Sequence, residues 1–94
     1  MTRWDWSNAD FAATFVHWLG ERNPEIIGSY MPVPDIKEIF PLFKRECGCP
    51  QLQVGSLLRG LKAVTEWSDK GTYVDHTGRR RGVTEYLVPR PEQA

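Results

Sequence analysis

The sequence predicts an α+β, mainly helical fold: a winged helix-turn-helix, with three helices followed by a C-terminal β-hairpin wing. Three observations carry that expectation. Apolar residues recur at helical spacing in three segments, at about residues 8–19, 35–46 and 51–64. At about residues 72–88 the pattern changes to β-branched and aromatic residues around "TGRRRG", which is how a hairpin with a glycine-bounded loop reads. With 94 residues, 40% of them hydrophobic and 26% charged, the chain suits one domain, 1–94, with a single modest core rather than a disordered segment.

The first helix opens at "WSNADF", where Ser7 and Asp10 have capping-box spacing and Trp6 and Phe11 have the spacing of a hydrophobic staple. Phe11, Phe15, Trp18 and Leu19 then fall on one face, and Gly20 is the expected stop. Trp4 and Trp6 are expected to cover one end of the core. Asn23-Pro24 begins a single helical turn, and Tyr30 to Val33 reads as a short edge strand, where prolines are tolerated. In the second helix, Ile36, Ile39, Phe40 and Phe43 form the apolar stripe, and Pro41 predicts a kink near Lys37 to Pro41. Gly48 and Pro50 make the turn that follows. In the third helix Val54, Leu57, Leu58, Leu61 and Val64 face the core. The outward face carries Leu52, Gly55, Ser56, Arg59 and Ala63, with Gln53, Gly60 and Lys62 at its margins. Two glycines lower helix propensity by about 1 kcal/mol each, which suggests that something approaches this helix closely.

Formal net charge is zero, but the charge is unevenly placed. Residues 1–46 carry five basic and seven acidic side chains, whereas residues 47–94 carry seven and five. A local basic patch of this kind can steer a polyanion even on a neutral protein. The residues expected to contact duplex DNA are therefore Gln53, Ser56, Arg59 and Lys62 on the third helix and Arg79, Arg80 and Arg81 at the wing tip. Their side chains donate hydrogen bonds to phosphates and base edges. Two alternatives stay open. The arginines can form a solvated turn, and the small-residue face of the third helix can pack on a protein partner or a second copy in a homodimer.

Catalysis is not expected, because no nucleophile, base and orienting group have a defensible spacing and one small core leaves little room for a pocket. No cofactor or small-molecule substrate is expected. Cys47 and Cys49 flank a single glycine, unsuited to a disulfide staple, and with His17 or His76 they lack zinc-site spacing, so no metal is expected and they read as reduced loop cysteines. No apolar run nears the roughly 20 residues that cross a bilayer and no signal peptide opens the chain, so no membrane contact and a cytoplasmic location are expected.

The segments "VPDIKEIFPLFKRECG", "QVGSLLRGLKAV" and "GRRRGVTEYLV" together resemble the C-terminal winged-helix domain of phage- and plasmid-type primase–helicases, over about residues 30–89. The family has a Val/Pro-led helix with an Ile/Leu-aromatic stripe, then a helix with a phenylalanine-glycine-arginine-like segment and a leucine, then a basic hairpin ending in an aromatic-aliphatic strand. Here Val54-Gly55-Ser56 stands in place of the glycine-arginine pair and the arginine comes at Arg59. The resemblance implies DNA binding, in replication or in transcription regulation of a mobile element. It implies no ATPase, and the glycine loop with lysine and Ser/Thr that binds nucleotide phosphates is absent from the sequence.

Overall fold

The computed structural model describes residues 6–90. The expected capping box closes the start of α1 (Asn8–Arg22): the Asp10 amide donates to Ser7 Oγ, and the Ser7 amide donates to an Asp10 carboxylate oxygen at 2.8 Å. Trp6 and Phe11 meet with ring centroids 5.0 Å apart, as a staple requires. Trp4 lies outside the described residues. α1 does not stop at Gly20. It continues to Arg22, because Gly20 keeps helical backbone and is buried against Ile27, whose carbons stand 3.4 Å from where a Cβ would lie. That is an ordinary contact, so Gly20 is a buried helical residue rather than a stop.

Asn23-Pro24 begins a 3-10 turn over Pro24–Ile26, and the expected edge strand follows as β1 (Tyr30–Pro32), one residue short of Val33, which opens the next helix. α2 (Val33–Cys47) starts two residues before the expected Asp35, since Pro34 in the first turn has no N–H to leave unsatisfied. Pro41 sits on its exposed side and the helix continues through it. Buried Ile36, Phe40 and Phe43 pin the opposite side to the core, which offsets the one hydrogen bond that proline removes.

Gly48 ends α2 in the left-handed region, at φ 69°, the conformation for which glycine is suited. α3 (Val54–Val64) then begins three residues later than expected. Leu52 accounts for the delay. It is buried in the core from the turn, its amide donating to the Cys49 carbonyl at 3.1 Å, so it belongs neither to the helix nor to an outward face. Cys49 is buried in the same core and Cys47 is half-buried at the end of α2, so neither is a simple loop cysteine.

Two long strands complete the chain, β2 (Trp67–Val74) and β3 (Arg80–Leu87). The hairpin starts five residues before the expected Thr72, because Asp69 and Lys70 do not break the strand. They occupy a β-bulge between Ser68 and Gly71, where β2 carries one more residue than β3. The sheet is antiparallel with order β1-β3-β2. The Thr65 hydroxyl donates to the Leu87 carbonyl at 2.8 Å and fastens the end of α3 to the central strand. One core cluster joins Ala12, Phe15 and Leu19 of α1, the α2 stripe, Leu57 and Leu61 of α3, and Tyr86 and Val88. The chain is thus a mainly helical α+β fold with a three-stranded sheet. Among the described residues no helix is long and apolar enough to cross a membrane.

Candidate nucleic-acid interface

Two surfaces hold the residues singled out in the sequence. The first is the outer stripe of α3. At 100° per residue, Gly55, Ser56, Arg59, Lys62 and Ala63 share an arc of about 120°. Arg59 and Lys62 are exposed, and the helix carries no acidic residue from Val54 to Val64. Arg59 donates to Ser56 Oγ at 3.3 Å, which orients the guanidinium along the helix. Gln53 caps the helix with extended backbone, its side chain taking no part in the cap, and is exposed at the leading end.

Gly60 does not belong to this surface. A Cβ there would lie 2.0 Å from the Asn8 carbonyl oxygen, so Gly60 is the point where α3 closes on the start of α1. The close approach suggested by the two glycines is, at Gly60, internal to the fold. Gly55 is different: the nearest atom to a Cβ there is Arg59 Nη1 at 3.8 Å, an ordinary contact.

The second surface is the hairpin arm. No residue from Thr72 to Gly82 is buried, so the arm leaves the core. Its turn is built by Asp75 to Arg79, not by the three arginines. The Asp75 amide donates to the Arg79 carbonyl, the Gly78 amide to the Asp75 carbonyl, and Gly78 has φ 84°. This is a three-residue loop with a left-handed glycine in the bulge position. "DHTG" is the local sequence signal for it. Asp75 organises the loop with its carboxylate, which accepts from the Thr77 hydroxyl and amide, the Arg79 amide and Arg81 Nε. Those bonds, the Thr77 hydroxyl first and the Arg81 guanidinium next, hold the Asp75 pKa down to about 2.

The three arginines are therefore not equivalent. Only Arg79 belongs to the turn, while Arg80 and Arg81 are the first residues of β3. Side chains alternate along a strand, and Tyr86 points into the core, so Arg80 lies on the helix side of the sheet and Arg81 on the other. Arg81 Nε is 2.7 Å from the Asp75 carboxylate, and its charge is already partnered. Among the described residues, the Arg79 and Arg80 side chains make no ion pair.

Trp67 was not singled out in the sequence. It opens β2, is 45% exposed, and has Lys62 Nζ 4.6 Å from its ring centroid. It lies three residues past the end of α3 and before the β-branched stretch that begins at Thr72, so no local pattern in the sequence marks it. Of the two histidines, His17 stands exposed 2.8 Å from Glu21 on α1, and His76 is exposed in the turn. No group of three or more His, Cys, Asp or Glu among the described residues is placed to hold a metal.

The chain matches no protein-family model, and no curated protein or solved structure matches it either.

Proposed function

We propose that this protein is a winged helix-turn-helix domain that binds duplex DNA mainly through its phosphates and carries no catalysis. The element order, helix, strand, two helices and hairpin, with the first strand beside the last, supports the winged reading. One observation carries the DNA reading: the Arg79 and Arg80 side chains, which make no ion pair among the described residues, stand on an arm outside the core, and α3 carries exposed Arg59 and Lys62 with no acidic residue. In this reading α3 docks through Gln53, Ser56, Arg59 and Lys62, and the arm adds Arg79 and Arg80. Arg81 mainly braces the turn. A setting in replication or regulation of a mobile element follows from the sequence resemblance and belongs to the same proposal.

Fluorescence anisotropy of a random-sequence duplex at two salt concentrations tests it. The joint Arg79→Ala and Arg80→Ala variant should flatten the salt slope by about 1.8, near 0.9 for each phosphate no longer neutralised, while Arg81→Ala should change it less. Absence of binding at low salt would sink the DNA reading. The zero net charge and the 59% exposed Val74 beside Arg80 favour a second reading, a protein-interaction module or homodimer. A molecular mass that rises with concentration, without DNA affinity, would identify it.

A further inference from the structure

Lys62 and Glu66 are four residues apart, a spacing that pairs side chains on a continuous helix. Here they do not pair. α3 ends at Val64, and the turn into β2 carries Glu66 away, where its carboxylate accepts from the Tyr30 hydroxyl at 3.3 Å. Lys62 instead lies over Trp67, its Nζ 4.6 Å from the ring centroid. Trp67 stands opposite Tyr86 in the register of β2 and β3, at the free edge of a row whose other members, Tyr86 and Met31, are buried or half-buried. The fold thus leaves a large aromatic at the root of the arm and seats a cation on it, with no carboxylate in an ion pair with that cation among the described residues.

The consequence is a positioned charge. A lysine side chain on a helix surface samples many rotamers, and ordering it for a phosphate costs entropy. The ring quadrupole of an indole attracts the ammonium without neutralising it, so the N–H bonds that point away from the ring stay available to an anion. The ammonium is held on the same stripe as Arg59, between α3 and the arm. One face of the indole is occupied by Lys62, so a role as a stacking platform for bases is the weaker use of this ring.

We propose that Trp67 is a positioning residue that presents the Lys62 ammonium to a DNA backbone phosphate at the junction of α3 and the hairpin; this rests on the duplex-binding reading above. The test compares salt slopes of duplex binding for wild type, Lys62→Ala, Trp67→Phe, Trp67→Leu and the Lys62→Ala/Trp67→Leu double variant. Lys62→Ala should lower the slope by about 0.9. Trp67→Leu, which keeps an apolar side chain but removes the ring, should lower it by a similar amount although the lysine remains, and the double variant should lose no more than Lys62→Ala. Trp67→Phe retains a ring face and should keep most of the slope.

A Trp67→Leu protein that folds and binds with the wild-type slope would overturn the inference while leaving duplex binding intact. If the wild type fails to bind, both readings fall together. Should Trp67→Leu not fold, the difference in tryptophan emission between wild type and Trp67→Phe decides. A change in that difference on adding duplex supports a contact at this junction, and no change overturns it.

Discussion

The two faces of α3 show how the same residue type can mean opposite things. Gly60, on the inner face with Leu57 and Leu61, is buried where the backbone of α1 leaves no space for a methyl group. Gly55, on the outer face with Arg59 and Lys62, would bring a Cβ into no more than ordinary contact with Arg59 Nη1. Both weaken the helix by the same intrinsic propensity, about 1 kcal/mol each. Only at Gly60 does packing return that loss, because the absent Cβ lets two helices meet with backbone contact. The inner face therefore resists change by steric exclusion, a limit that the outer face does not meet.

Substitution can break this contrast. The largest effect is expected from Gly60→Ala: a Cβ 2.0 Å from the Asn8 carbonyl oxygen forces the start of α1 away from α3. Denaturant titration should show a loss of about 3 kcal/mol, at the upper end for overpacking. The melting temperature should fall by on the order of 15 °C for a chain of this size. Retention of wild-type stability would mean that the α1–α3 seam is looser than described. Gly55→Ala should act in the other direction, raising stability by about 0.5–1 kcal/mol through lower unfolded-state entropy and better helix propensity. A loss there would place a packing partner on the outer face and weaken the DNA reading.

The smallest expected effect concerns the arm. The Asp75 carboxylate is held below its ordinary pKa, at about 2, by bonds made in the folded turn. The contribution of those bonds is therefore fully present above about pH 4, where the unfolded group is ionised, and declines as pH falls toward 2. Asp75→Asn should remove that part of the pH dependence. Stability of wild type relative to Asp75→Asn, measured between pH 5 and pH 2, should shrink as the pH falls. A constant difference would show that the carboxylate charge does not hold the turn.

Much of the frame was legible without coordinates. The Ser7/Asp10 box, the Trp6/Phe11 staple, the α2 stripe and the proline-bearing edge strand depend on residues three to seven apart or on the covalent limits of proline, and such signals are local. The site was less legible. Gly55 and Gly60 read alike in the third helix, and only the position of Asn8 tells them apart. The three arginines looked like one loop, but the hydrogen bonds of Asp75 move the turn back to Asp75–Arg79 and place Arg80 and Arg81 in a strand on opposite faces.

The sequence by itself determined the order of elements, the apolar faces that bury Phe15, Phe43 and Leu57, and the concentration of basic residues in the later half of the chain. Periodicity and charge are properties of the chain alone, which is why they could be read there. Tertiary structure decided which cations are left without a partner. Arg81 is drawn to Asp75, whereas Arg79 and Arg80 make no ion pair among the described residues. Lys62 is drawn onto Trp67 once the end of α3 turns Glu66 toward Tyr30. An ion pair or a cation over a ring forms only between groups that the fold brings within a few ångströms, and sequence spacing does not report that distance.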